Sequence, residues 1–405
     1  MTTMRKVLTA LGILAATCSP ASAVEFHFDG YVDLRLVAPG DQESWMQGEL
    51  GKLRYGAGDS NFQFAELVGQ GVVQITPSLM VLAVGRIEPE QRTFFDALEA
   101  FVRYRPVSTS AFRWSVKAGA FFPPISLENT EIGWTSPWTL TPSAINTWVG
   151  EELRTIGIEG TLELRSEART ISAYASIYGW NDPAGILVAD RGWALHDRPT
   201  GLNDRPYLPY VLAEMLGEPP PYRTWEFLEI DDKPGWYAGA AWDETGIGHV
   251  DVLYYNNEAD PAAIRRQVAW RTDFWNVGVR TEIGNLTLLA QGLRGETFIY
   301  PSPYFWSDTY FESAYLLAGY NINQDWRVAA RGELFSANET NTYGSLMSEH
   351  GNALTLAVDY LPFDWARFTA EVVRVESTRP MRLLDADPAH AVEIQFQLSA
   401  RFYLP

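Results

Sequence analysis

Long runs of strict two-residue alternation constrain this chain more than any other feature. From Val392 to Phe402 the even positions are Val392, Ile394, Phe396, Leu398, Ala400 and Phe402, and the odd ones are Glu393, Gln395, Gln397, Ser399 and Arg401. Successive side chains of a strand point to opposite faces, so this segment has one apolar and one polar face along its whole length. The pattern recurs at Leu354, Leu356, Val358 and Tyr360, at Val328, Ala330, Gly332 and Leu334, and at Phe112, Trp114, Val116 and Ala118. Helical periodicity is nearly absent. Reading every such segment predicts about sixteen strands, many of 11 to 15 residues.

The connections alternate between short and long. Short turns fall at Thr76-Pro77, Pro106–Ser110, Ile283-Gly284, Asn323-Gln324 and Pro362-Phe363, and long loops fall between them, among them 122–150, 181–234 and 297–308. An even number of long amphipathic strands, short-turned at one end and long-looped at the other, predicts an all-β fold: a closed antiparallel transmembrane β-barrel with short periplasmic turns and long extracellular loops. Backbone amides in lipid must all be paired, and only closure removes both sheet edges. The competing architecture is a secreted β-sandwich, whose strands also alternate. Its strands are nearer five or six residues, and the tryptophans just past short turns, Trp326 and Trp365, fit an interfacial aromatic girdle instead.

Composition agrees. The chain has 405 residues with 15 Trp, 19 Tyr and 20 Phe, far too many for a solvated coil. A net charge of -19 leaves no basic surplus for nucleic acid. Arg5 and Lys6, the apolar run Val7 to Ala16, and Ala21-Ser22-Ala23 form a secretory signal peptide over 1–23, with the barrel over 24–405. The single cysteine, Cys18, falls inside that leader, so the mature chain has no disulfide and no Cys-rich zinc site. No run of 18 apolar residues follows Ala23, so no transmembrane helix is expected.

With the apolar faces toward lipid, the opposite faces line a lumen. The alternation assigns to it Glu99, Arg103, Arg105, Arg113, Lys117, Glu159, Glu163, Arg271, Asp273, Arg280, Arg327, Arg331, Glu333, Asp359, Arg367, Glu371, Glu393 and Arg401. Charges of both signs predict a hydrated channel, since about sixteen strands leave room for one. The third long loop reads GAFFPPISLENTEIGWTSPWTLTPSAINTWVGEELRTIG from Gly119 to Gly157. Its prolines forbid strand, and Trp134, Trp138 and Trp148 are apolar mass to bury, so it is expected to pack inside the barrel or across its mouth. Glu128 and Glu131 would then stand across the opening from the Arg103, Arg105, Arg113 and Lys117 patch, setting a transverse field.

On these residues the chain resembles a Gram-negative outer-membrane porin, in which the third loop folds inward and narrows the channel. The Gly-x-Phe-x-Pro-Pro segment and the following Glu128-Asn129 are similar to the phosphate-selective porin group. That resemblance implies an outer-membrane location, passive diffusion of small polar or charged solutes, contact with lipid and lipopolysaccharide, and a homotrimer. One departure counts against phosphate: after residue 23 the only lysines are Lys52, Lys117 and Lys233.

Two other function classes compete. A barrel-embedded hydrolase needs a nucleophile and base or paired carboxylates near a rim, and none of His27, His196, His249, His350 and His390 sits in such a motif. A non-transporting barrel, an adhesin or structural tether, is kept open by the loop 181–234, read simply as a lid over the mouth. Its acidic run Glu229-Ile230-Asp231-Asp232 has no spacing that defines a metal site, and no cofactor motif is present.

Overall fold

The computed structural model describes residues 24–59, 61–212, 217, 222–342 and 344–404. The signal peptide expected over 1–23 lies outside the described residues. The described chain forms β1 (Glu25–Ala38), β2 (Phe62–Thr76), β3 (Leu79–Ile87), β4 (Asp96–Tyr104), β5 (Phe112–Phe121), α1 (Ala144–Glu152), β6 (Thr155–Arg165), β7 (Arg169–Gly179), β8 (Gly235–Glu244) and β9 (Gly248–Asn256). It continues with β10 (Arg271–Ile283), β11 (Leu286–Ser302), β12 (Phe305–Asn321), β13 (Trp326–Asn341), β14 (Glu349–Phe363), β15 (Ala366–Thr378) and β16 (His390–Leu404). Each strand pairs antiparallel with its sequence neighbours, and β1 closes on β16 from Gly30↔Leu404 to Ala38↔Phe396. The result is a closed sixteen-stranded barrel without a free edge.

The alternation read from sequence maps onto the wall. On β16, Glu393, Gln395, Gln397, Ser399 and Arg401 are buried inside, while Val392, Ile394, Phe396 and Leu398 are exposed outside. At the short-turn end the outer surface carries stacked aromatics: Trp326 on Tyr360 at 4.6 Å, Phe363 on Trp365 at 5.0 Å, and Trp365 on Phe402 at 6.3 Å. Amphipathic rings of this kind favour the boundary between headgroups and hydrocarbon. Leu398 lies near the middle of β16 and is 56% exposed on that face. Leu398→Arg is therefore expected to lower barrel stability by about 2–4 kcal/mol, the cost of a cation at the bilayer midplane. Equilibrium unfolding in lipid vesicles measures it, and a loss no greater than that of Gln397→Ala would contradict a lipid-facing Leu398.

Two sequence expectations need correcting. The connection expected over 297–308 is a tight hairpin, because β11 and β12 continue their ladder out to Ser302↔Phe305. Arg271 and Asp273 do not face the lumen. On β10 the buried inner positions are Thr272, Phe274, Asn276 and Gly278, so the two charged residues sit on the outer face at the loop end of the strand. An outer face so near the loops meets water and headgroups, which tolerate charge.

Candidate functional site: a loop-filled lumen

What occupies the lumen follows from strand length. β3 to β9 have 9 to 11 residues, whereas β10 to β16 have 13 to 17. Three long connections fill the lumen: loop 1 (39–61) joins the longer β1 and β2, and loop 3 (122–154) and loop 4 (180–234) leave the short-stranded side. All three turn inward. Loop 4 is more than a lid over the mouth: every residue from 181 to 200 is buried.

Loop 3 is held by carboxylates that receive its backbone amides. Glu371 of β15 accepts from the amides of Leu140, at 2.6 Å, and Thr141, at 3.1 Å. Glu128 accepts from the Ser143 amide at 2.9 Å, and Glu333 of β13 accepts from the Ala144 amide at 2.7 Å. The last two are unpaired amides at the start of α1, where anionic partners are favoured. Ser143 caps the helix by accepting from the Asn146 amide. Arg331 ties the cluster together: it donates to Glu128 at 2.6 Å, to Glu333 at 2.9 Å, to the Thr141 carbonyl at 2.8 Å and to Thr355 at 3.1 Å. Arg331, Glu128 and Glu333 are all buried, so each charge depends on its partners for compensation.

A second network holds loop 4 against β1 and loop 1. Asp197 bridges Arg35 of β1 and Arg54 of loop 1, the latter at 3.0 Å. Glu88, just beyond β3, accepts from Arg54 at 3.2 Å and from Arg198 at 2.9 Å. Burial alone would push the Glu88 carboxyl up; Arg198, Arg54 and Arg86 outweigh it and hold the group down at about 2. Glu151 of α1 pairs with Arg191, at 2.8 Å, and with His196, at 3.0 Å. His196 is no surface residue; it is buried, with its ring 4.2 Å from that of Trp45.

Between these networks lies an apolar core. Leu53 of loop 1, Ile125, Trp148 and Val149 of loop 3, and Val188, Trp193 and Leu195 of loop 4 pack on inward wall residues such as Tyr255, Phe274 and Phe311. Tyr178, Tyr255 and Phe274 stack at 5.3 and 4.8 Å, and Trp148 meets Phe274 at 5.3 Å and Phe311 at 5.1 Å. The inner wall is thus charged over β13 to β16 and β1, and largely aromatic over the loop-end half of β7 to β12. A cavity of about 580 Å³ remains beside loop 3, lined by Tyr31, Glu99, Phe122, Glu131, Arg401 and Tyr403 among others.

The residues singled out from sequence fall into two groups. Glu128 meets Arg331, and Glu131 meets Arg367 at 3.1 Å. Arg327 pairs with Asp359 at 2.6 Å, with its guanidinium 5.6 Å from the Trp138 ring. Arg103 and Lys117 are register partners on β4 and β5. Lys117 pairs with Glu159 at 3.0 Å and lies 3.8 Å from the Phe121 ring centre. Arg103 contacts the Met80 sulfur at 3.0 Å, Arg113 is in register with Glu163, and Arg105 leaves the wall at the short turn, its amide donating to Ser78. The loop 3 carboxylates therefore close onto Arg331 and Arg367 rather than onto the Arg103 group.

Missed from sequence were the wall anchors Glu333 and Glu371 as amide acceptors, and Arg35, Arg54, Glu88 and Asp197. The run Pro142-Ser143-Ala144, a cap residue ahead of an apolar stretch, was the signal for α1.

Three carboxylates of loop 4, Asp182, Glu229 and Asp231, offer oxygens within 4.8 Å of one another. Backbone amides already engage each: Ile230 donates to Asp182, Trp180 to Glu229 and Asp260 to Asp231. Burial, and then Glu229 and Asp231, push the Asp182 carboxyl up to about 7. Lys233, 3.7 Å from Asp231, is the cation nearby. An acid raised on folding binds its proton more tightly in the native state, so its contribution falls as pH rises between about 4 and 7. Amide exchange at Ile230 and Asp231, corrected for intrinsic rates, should be more protected at about pH 5 than at about pH 8. Asp182→Asn should remove that difference; a difference surviving the substitution would place its origin elsewhere.

A closed barrel of this kind, with an apolar exterior, an aromatic band and loops held inside, defines the outer-membrane β-barrel class of folds. No protein-family model matches the sequence, and no curated protein matches it. Solved structures do match in fold. A loop-deleted OmpT, an outer-membrane protein of Vibrio cholerae, superposes with a TM-score of 0.54 at 10% identity, over 95% of this chain and 100% of that one. The outer-membrane channel DcaP of Acinetobacter baumannii gives 0.53 at 10% identity, over 96% and 100%. OmpF of Salmonella typhi, in complex with daunomycin, gives 0.50 at 11% identity, over 94% and 97%.

Proposed function

We propose that this chain is an outer-membrane porin in which loops 1, 3 and 4 narrow the lumen to a restricted path for passive diffusion of small polar or charged solutes. The observation that carries it is the fixing of loop 3 inside the barrel by Glu333, Glu371 and Arg331 of the wall. A barrel needs no such internal charged scaffold merely to stand in lipid, since its ladder and apolar exterior suffice. The reading includes no enzymatic role, a location in the outer membrane among lipid and lipopolysaccharide, and assembly as a homotrimer. Phosphate as the solute rests on the Pro123-Pro124 motif and is opposed by the scarcity of lysine.

A second reading, a non-transporting barrel, is favoured by the complete burial of residues 181–200. Swelling of proteoliposomes in graded sugars separates the two: a porin admits small sugars and excludes large ones, and a sealed barrel admits neither.

In the porin reading the Arg103, Arg105 and Arg113 group, near the short-turn end, biases which ions pass. Replacing all three by Ser is expected to shift the reversal potential in a salt gradient toward cation preference. An unchanged reversal potential at unchanged conductance would remove these residues from the path.

A further inference from the structure

A group of arginines at the loop end of the barrel lies outside the networks described above. Arg92 of loop 2 (88–95), Arg205 of loop 4 and Arg266 of loop 5 (257–270) bring their guanidiniums to 6.0, 3.1 and 5.1 Å from the ring centre of Trp225. Arg223 lies 3.5 Å from the Tyr207 ring centre and donates to the Arg205 carbonyl at 2.8 Å. Among the described residues, no carboxylate stands within 4.0 Å of any of these four guanidiniums, although the chain carries a net charge of -19. The Arg205 Nε is buried without a partner. Burial, and then Arg92, Arg266 and Arg223, lower the affinity of the Arg205 guanidinium for its proton, as expected of like charges crowded together. Arg266 is also held at φ 130°, a conformation that side-chain-bearing residues avoid.

Arg223 and Arg266 line a cavity of about 400 Å³ whose other walls include Leu208, Val268, Trp270, Ile299 and Phe305. The volume suits a small organic molecule, and the lining is that of a ligand pocket: mostly apolar, with a few convergent polar groups. Asp190 and Glu339 also line it, and their repulsion grows with the charge of the ligand, so a monoanion is opposed less than a dianion.

We infer that this extracellular cavity binds an organic monoanion, its apolar or aromatic body against Trp270, Ile299 and Phe305 and its carboxylate against Arg223 and Arg266. Guanidiniums recognise carboxylates through paired, charge-assisted hydrogen bonds, and an anion here relieves the mutual repulsion of the arginines. The site requires only the folded loops, so it goes beyond the diffusion reading and stands whether or not the barrel conducts.

The test is direct binding to the full chain folded in detergent micelles, with benzoate as the probe and saturation-transfer NMR as the readout. Benzoate is expected to bind saturably, with acetate and inorganic phosphate about tenfold weaker or more, since neither has a body to bury. Arg223→Ala with Arg266→Ala should weaken benzoate by about tenfold or more, the scale of a lost charge-assisted hydrogen bond. Arg374→Ala, an arginine on β15 paired with Glu376, should change nothing. Heat-modifiable gel migration shows that each variant is folded. The inference is overturned if folded wild-type protein shows no saturable benzoate binding, if phosphate or acetate binds as tightly, or if the folded double variant binds unchanged.

Discussion

Replacing Arg331 by methionine should release loop 3 from the barrel wall and produce the largest functional change of any single substitution. The side chain is buried and donates to Glu128, Glu333, Thr355 and the Thr141 carbonyl. Methionine fills much of the space but leaves two carboxylates buried without their cation. Removing one partner of a buried pair costs about 3–5 kcal/mol. That cost falls on the loop rather than on the barrel, whose ladder between β12, β13 and β14 does not involve the side chain. Arg331→Met should therefore still show heat-modifiable migration while its single-channel conductance rises several-fold and becomes noisy. Restoring neutrality with Glu128→Gln in the same chain should recover part of the parental behaviour, because the uncompensated charge is the source of the cost. If Arg331→Met conducts as the parent does, loop 3 is not the constriction.

Asp197→Ala is expected to act as strongly on loop 4. Asp197 is the shared anion of Arg35 and Arg54, and its loss leaves two buried guanidiniums facing each other with Asp33 and Glu88 as their remaining partners. A cost of about 3–5 kcal/mol again applies, enough to loosen a loop segment whose ladder contact with loop 1 is the single bridge Leu53↔Leu195. Limited proteolysis should then cut within loop 4, which is protected in the parent by the burial of residues 181–200. Asp197→Asn keeps hydrogen-bond acceptance to one arginine and should lie between the two. Equal protease resistance of all three chains would show that the apolar contacts of Trp193 and Leu195 hold the loop unaided.

The wall was legible in the sequence because the membrane enforces a simple rule, apolar outward at every second residue. Segments such as Val392 to Phe402 obey it without exception, and strand number and closure follow. The rule failed where both faces of a strand are apolar. Phe274, Phe311 and Phe335 point inward toward Trp148 and Trp193, and alternation has no means of separating an inward aromatic from a lipid-facing one. It failed also at Arg271 and Asp273, where the outer face has left the hydrocarbon. Loop 3 announced its inward course through its tryptophans and prolines. Loop 4 did not: what holds it is a set of long-range ion pairs, Asp197 with Arg35 across 162 positions and Glu88 with Arg198 across 110, and such pairs leave no local mark. For the same reason the sequence set Glu128 against the Arg103 patch, and its actual partner Arg331 emerged only from the fold.

Single-channel recording in planar bilayers, with the parent chain beside Arg331→Met, decides whether the loop-narrowed barrel conducts. Small, discrete conductance steps are expected from the parent and larger ones from the variant. Correctly folded protein that gives no steps in either form would contradict the porin reading, and would make the loop-filled barrel a sealed structure rather than a porin.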